Sequence, residues 1–459
     1  MLTFGLTGGF SDDQLDQIHA ETLTVLEQIG MQVADPDIRE FLGGVPGLDV
    51  KGDRVCYAPE LIEEWLEVIR HDNLEYSYNR HDGRIRMVGP YMGQQYHDPD
   101  TGEVRYATAD DMRVAVKLCD SLDMYGPSPI HLQTVPPPLR QVTTQRICLE
   151  NSSEIGGWGP AASEKDAYWQ CRISEAAGRP APHCCMEIPI SPLRLNVEAL
   201  RMVFSRRGRD EQLTGMVIGG GAVPMPGATA PIFVPGCFIQ AMAEALAAYI
   251  TPQLIDPRLQ GYCSFGGFLF DLRRATTGNL FPESILYNLL GRQVIHRFLG
   301  ETMGSSIGIG AFNSPQAALS IGFKAACDVL AGARSFLGVG GYGDGFCPVS
   351  AILTADIVKH LSRFIEGREY RSEAGLSLEA ISEALADGTF LAHPTTLDYR
   401  KLYIIPELVF EHSDHEQLLV AAAEKARQTV AAHDYCLPDD VLGDIEEVYR
   451  AAERDLLGG

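Results

Sequence analysis

Seven short apolar or glycine-flanked runs, SPIHLQ, SEIGGW, CCMEIPI, GMVIGGG, YCSFGG, SSIGIGA and SFLGVGG, recur between residues 128 and 341, with helical patterns between most of them. A strand that is apolar throughout has no polar face to give to water. It must be covered on both sides, and parallel strands joined by helical crossovers are covered in that way. Strand and helix alternating over roughly 250 residues predict an α/β fold, specifically a (β/α)8 TIM barrel. A doubly wound sheet fits less well, because it concentrates its glycines at one turn, whereas here glycine-rich strand ends occur in several successive units. Seven strands can be read this way, and the position of the eighth stays open.

The flanks have a different rhythm. Ser11 followed by Asp12 and Asp13 marks a helix start, with Leu15, Ile18, Val25, Leu26 and Ile29 on one face and Gly30 as a stop. A second helix is expected from Pro59, turning Leu61, Ile62, Trp65, Leu66 and Ile69 inward. VKGDRVCY, NRHDGRIRMV and HDPDTGEVRY place glycine and polar turn residues between alternating segments, the pattern of hairpins. The expected organisation is an α+β cap over 1–110, a barrel over 111–375 and a C-terminal extension with helices over 376–459.

Composition excludes several classes. A chain of 459 residues with 45% hydrophobic content can bury a large core, and a net charge of −24 disfavours nucleic acid and anionic membranes. The first residues lack a basic region followed by an apolar run, and no stretch reaches the ~18 uninterrupted apolar residues of a membrane span. A cytoplasmic protein is expected. The eleven cysteines include no CxxC pair, so reduced thiols are expected.

At the end of GMVIGGG, Gly219, Gly220 and Gly221 leave the backbone bare, and Pro224, Pro226 and Pro231 stiffen the loop that follows. With Gly266, Gly267, Gly310 and the run from Gly338 to Gly345 at other strand ends, they predict a wide-mouthed cavity at the carboxyl face. Its chemistry is not that of phosphate, since GxxxxGK[ST] is absent and GVGGYGDG lacks the dinucleotide context. His183, Cys184 and Cys185 form the densest group of soft ligands. Neighbouring strand residues point to opposite faces, so the two cysteines cannot share a site without a bulge, and no tightly bound metal is expected.

GGGAVPMPGATAPIFVPGCFIQAMAEALA resembles the signature of the trimethylamine methyltransferase family, a Pro-Met-x-Gly-Ala-Thr-Ala-Pro-like loop before an Ala-rich helix bearing an Ala-Glu pair, here Ala243 and Glu244. DPDTGEVRYATADDM, DLRRATTGNLFPES, FLAHPTTLDYRKLYIIPEL and IHAETLTVLEQIGMQVADP resemble other family segments, so the likeness spans nearly the whole chain. It implies a TIM barrel that moves a methyl group from a methylated amine to Co(I) of a separate corrinoid (cobalamin) protein. Archaeal trimethylamine enzymes carry pyrrolysine, whereas this chain has only standard residues. That departure points to the members associated with quaternary amines such as glycine betaine, proline betaine and carnitine.

A quaternary amine leaves as a neutral tertiary amine and needs no protonation. The protein has to desolvate and aim the cation, so positioning rather than acid–base catalysis is expected, and no catalytic residue is assigned. Aromatic faces bind such cations. Trp158 after a strand, Phe265 and Tyr342 at strand ends, and Tyr91 and Tyr96 from the cap are therefore candidates, whereas Trp65 and Trp169 read as packing. For a substrate carboxylate, His131, Arg273 and Arg274 are candidates, with a surface ion pair the plainer reading for one of the arginines. Glu187, Asp271 and Asp344 could face the cation or fix loops. Gly219, Gly220, Gly221 and Gly310 are expected to face the corrinoid. A homo-oligomer is expected. A zinc-dependent thiol methyltransferase or lyase using His183, Cys184 and Cys185, and a non-catalytic betaine-binding protein, stay open as alternatives.

Overall fold

The computed structural model describes residues 5–76, 85–90, 93–156, 161, 163–179, 184–207, 216–278, 282–300, 305–306, 320–342, 344–366, 378–400, 408–409 and 411–458. The first helix, Asp12–Thr24, is closed by a reciprocal cap: Gln14 N–H donates to Ser11 Oγ, and Ser11 N–H donates to Gln14 Oε1. The other helix expected in the cap runs over Pro59–Tyr76, after a short helix Pro36–Gly43, and Trp65 packs edge-on against Tyr249. VKGDRVCY forms the expected hairpin, Leu48–Lys51 with Arg54–Tyr57, and HDPDTGEVRY closes Gln95–His97 against Val104–Tyr106.

The parallel strands are β1 (Arg86–Val88), β2 (Met124–Tyr125), β3 (Cys184–Glu187), β4 (Met216–Ala222), β5 (Gln260–Phe265), β6 (Ser305–Ser306) and β7 (Ser335–Leu337). One sheet has the order β6–β7–β1–β2 and another β5–β4–β3, all pairs parallel. Just beyond β2, Gly126 makes an isolated parallel bridge to Ile155 in SEIGGW. Two expectations are corrected here. The RMV of NRHDGRIRMV is not a hairpin arm: β1 has β7 on one side and β2 on the other, both parallel. In place of SPIHLQ the strand is Met124–Tyr125, because Pro127 and Pro129 have no N–H for a ladder.

The helix Val234–Ile255 has the length and composition of a membrane span, but 72% of its most apolar stretch is buried inside the protein. It is apolar on all sides because it lies within the larger core, against β4 and β5 and against Asp12–Thr24. Its alanines let it approach β4 closely. A second core joins β1, β2 and β7 to the helices Ala109–Ser121 and Pro348–Ile365, and His415–Ala431 covers both helices. The last helix, Asp439–Leu457, lies on Glu164–Ala176, where Trp169 Nε1 donates to Asp455 Oδ2 over 3.0 Å. Trp65 and Trp169 are thus packing residues.

Candidate functional site

The carboxyl ends of β4 and β5 have two distinct faces. A Cβ on Gly220 would lie 2.7 Å from Tyr262 O and 3.3 Å from Ala245 O, so Gly220 faces the helix Val234–Ile255. Its register partner Cys263 and the next residue on that face, Phe265, belong to the same buried core, and the Phe265 ring centroid is 5.7 Å from that of Phe238 on the helix. Strand alternation therefore puts Gly219 and Gly221 on the opposite face. There they are in register with Tyr262 and Ser264, and Gly219 is also in register with Glu187 of β3. Tyr262 is half-buried and Ser264 fully buried.

The loop after β4 folds on itself. Met225 O accepts from the N–H groups of Ala228, Thr229 and Ala230, Met225 N–H donates to Thr229 Oγ1, and Gln240 of the helix donates to Thr229 O. Val223, Ile232 and Phe233 stay exposed around it, Phe233 to 80%. Beneath, Glu244 is fully buried and accepts from Ser191 Oγ at 2.5 Å, Leu193 N–H at 2.8 Å and Gln240 Nε2 at 2.8 Å. Burial raises its pKa above the ordinary carboxylate value although these bonds oppose the shift. The Glu of the Ala-Glu pair thus pins the turn that follows β3.

A small sheet joins Gly345–Phe346 to Gln95–His97. Tyr96 is packed in the second core, 6% exposed, with the Arg105 guanidinium 5.6 Å from its ring centre. One aromatic face proposed for a substrate cation is therefore already next to a protein cation. Nearby, His97 Nδ1 lies 3.5 Å from Cys347 Sγ, and burial lowers the His97 pKa and raises that of Cys347. The N–H of His131 donates to Gly93 O, and its ring is 3.4 Å from Gln141 Nε2. Burial holds the imidazole below its usual pKa, so at neutral pH it offers a neutral hydrogen bond, not the cation expected for a carboxylate.

Arg273 is exposed, and its N–H donates to Asp271 Oδ1; Arg274 forms an exposed ion pair with Asp271 at 3.4 Å. Trp158, Tyr91, Gly310 and His183 lie outside the described residues, as do the side chains of Glu187, Cys184, Cys185 and Tyr342, whose backbones belong to strands. Among the described residues, no three His, Cys, Asp or Glu side chains are grouped to hold a metal. The residue that sequence reasoning passed over is Tyr262. Nothing in YCSF itself says which residues face the site; the register with Gly219–Gly221 sets Tyr262 and Phe265 on opposite faces.

In fold, the chain is similar to the monomethylamine methyltransferase of Methanosarcina barkeri, with a TM-score of 0.50 and 12% identity over 98% of this chain and 88% of that one. Its architecture is therefore that of the methylamine methyltransferase class. Residues 3–434 match the trimethylamine methyltransferase (MTTB) family. The chain belongs to that family and is a methyltransferase. Relatives include the trimethylamine methyltransferase MttB of Desulfitobacterium hafniense, 23% identical over 93% of this chain and 88% of the relative. A glycine betaine methyltransferase of the same species is 22% identical over 92% and 90% respectively.

Proposed function

We propose that this methyltransferase takes a methyl group from a quaternary, betaine-like amine and delivers it to a corrinoid protein. The observation that carries the reading is the bare face of β4, where Gly219 and Gly221 stand in register with Tyr262 and Ser264. A half-buried aromatic ring beside two missing side chains leaves room for a trimethylammonium group against a π-face. Tyr262 takes the role first expected of Phe265. Trp158 and Tyr342 complete the cage, and the Ser264 hydroxyl and neutral His131 orient the substrate's polar end.

The two parallel sheets are read as arcs of one eight-stranded barrel. β1 supplies the first strand and Ile155 marks the third, which moves the start of the barrel from residue 111 to 86. In support, β7 pairs with β1, the Gly126–Ile155 bridge extends the arc beyond β2, and the packed faces of both sheets are turned toward helices.

The corrinoid of the partner would supply a Co(I) nucleophile. The residues that would receive it fit a wide, flat, largely apolar group: Gly219 and Gly221 keep the strand end low, the self-bonded loop keeps it open, and Val223, Ile232 and Phe233 rim it. This chain's own work is to strip water from the cation, hold it against Tyr262 and point one methyl group outward. The departing tertiary amine is neutral, so no protonated side chain has to accompany it.

The test is a screen of methylated amines with free Co(I) cobalamin, read by methylcobalamin absorbance. Quaternary amines are expected to turn over and trimethylamine not. Equal or faster turnover of trimethylamine refutes the reading.

A further inference from the structure

The helix Pro59–Tyr76 turns Ile62, Leu66 and Ile69 into the larger core, and the next position on that stripe is Asn73, as fully buried as those neighbours. An amide in an apolar stripe is destabilising unless its donors and its acceptor are matched. Asn73 meets that condition. Its Nδ2 donates to Cys263 O at 2.8 Å and to Leu299 O at 2.6 Å, and its Oδ1 accepts from Cys263 N–H at 2.8 Å. Both amide hydrogens are therefore used.

The amide lies against the outer edge of β5. In the sheet of order β5–β4–β3 this strand is outermost, and Cys263 engages Asn73 through both of its backbone groups. A side-chain amide offers the same donor and acceptor pair as a residue of a neighbouring strand, so Asn73 continues the ladder by one residue. An apolar side chain at this position would leave the Cys263 N–H and C=O without it. The helix is itself anchored on both sides of the amide: Arg70 Nε donates to Phe298 O at 3.1 Å, and the Tyr249 hydroxyl donates to Asp72 Oδ2. Phe298 O and Leu299 O belong to the last turn of Pro282–Leu299, whose carbonyls have no partner within their own helix.

Cys263 stands between Tyr262 and Ser264. Its N–H belongs to the planar peptide unit that follows Tyr262, and its C=O to the unit that precedes Ser264. Two bonds to one rigid amide fix both planes, and with them the directions in which the Tyr262 ring and the Ser264 hydroxyl leave the strand. The register partners of these two residues on β4 are Gly219 and Gly221, which have no side chains to hold them from that direction. Their aim depends on the backbone of β5.

We propose that Asn73 is a positioning residue for methyl transfer: acting through Cys263, it aims Tyr262 and Ser264 at the quaternary amine. The inference rests on the reading that these two residues hold the substrate. It makes one amide of the cap part of the apparatus that orients the amine.

The experiment is steady-state kinetics of the full chain with glycine betaine and free Co(I) cobalamin, comparing wild type, Tyr262→Ala, Asn73→Ala and Asn73→Asp at a temperature where circular dichroism shows each protein folded. Loss of aim in Asn73→Ala is expected to raise KM for glycine betaine about three- to tenfold and to lower kcat about tenfold or more, with KM for cobalamin unchanged. A residue that only stabilised the fold would shift the melting temperature and the amount of active protein, and leave KM of the folded protein alone. Asn73→Asp serves where Asn73→Ala does not fold. Its protonated carboxyl has the shape of the amide, accepts from Cys263 N–H and returns a donor to Cys263 O, whereas the ionised form has no donor and faces two carbonyls. Burial raises the pKa of such a group, so its KM for glycine betaine is expected close to wild type at about pH 5.5 and well above it at about pH 9. A folded Asn73→Ala with the wild-type KM for glycine betaine overturns the proposal, as does an Asn73→Asp that keeps the wild-type KM at both pH values. If Tyr262→Ala also keeps the wild-type KM, the substrate site itself is misassigned; if Tyr262→Ala raises KM and the Asn73 variants do not, the positioning role alone fails.

Discussion

Replacing Gly220 by alanine separates packing from function at the end of β4. The added methyl would stand 2.7 Å from Tyr262 O and 3.3 Å from Ala245 O, with Cys263 Cα at 3.4 Å. All three are backbone atoms and cannot swing aside, so reaching ordinary contact requires β4 to move by about 3.4 − 2.7 = 0.7 Å relative to β5. A displacement of that size forfeits about a quarter to a half of the dispersion energy of the contacts it loosens, here along a helix buried on all sides. Overpacking of this kind costs about 1–3 kcal/mol, and the rigidity of these neighbours puts Gly220→Ala at the upper end. Gly219→Ala and Gly221→Ala point to the other face and should cost under about 1 kcal/mol, yet lower methyl transfer to cobalamin by intruding beside Tyr262 and Ser264. Urea midpoints and methylcobalamin absorbance on the same three proteins check this. If Gly220→Ala unfolds at the wild-type midpoint, or Gly219→Ala is the less stable of the two, the assignment of faces is wrong.

Tyr262→Ala is expected to weaken binding of the turned-over amine by about 1–2 kcal/mol, roughly tenfold, by calorimetry, whereas Phe265→Leu should lower the melting temperature and leave that affinity alone. Trp158→Ala should weaken the same binding by a similar amount without lowering the melting temperature, and unchanged affinity removes it from the cage. Glu244→Ala strands donors on Ser191, Leu193 and Gln240, two of which lie in a half-buried turn, and is expected to cost about 2–3 kcal/mol; a change below about 0.5 kcal/mol in urea unfolding refutes that role. Because Glu244 has a raised pKa, the native state keeps its proton to higher pH than the unfolded chain. Its stability contribution therefore falls as pH rises from the ordinary carboxylate value through the raised one, and Glu244→Gln should flatten stability across that window.

The periodic features of the sequence were legible where a single physical rule decides them. Met216–Ala222, Gln260–Phe265 and Ser335–Leu337 are apolar runs too short for a buried helix and set between helical patterns, which is the context of buried parallel strands. Arg86–Val88 was misread because three residues beside Asp82 and Gly83 carry a strong turn signal and almost no strand signal. Its pairing is decided by residues nearly 250 positions away, in β7. Local propensity has no access to that.

The same limit explains the site. In YCSF every position has a reason to be apolar or small, so hydrophobicity does not show which residues face the helices, and the period of two becomes visible only through the register with Gly219, Gly220 and Gly221. Aromatic residues at strand ends and in the cap were the natural candidates for a cation cage, yet Phe265 of the first group and Tyr96 of the second are claimed by the cores, 2% and 6% exposed. Glu244 is a second case. A carboxyl group in an Ala-rich helix ordinarily marks a solvent-facing position, but this helix has no solvent face, and three donors from a turn and its own helix satisfy the buried group. Both cases have one cause: a helix wrapped on all sides and a strand covered on both faces lack the polar–apolar contrast from which orientation is read. Such elements have to be oriented by what they touch, and in this chain the contact that orients them is the missing Cβ of Gly220 against the carbonyls of Tyr262 and Ala245.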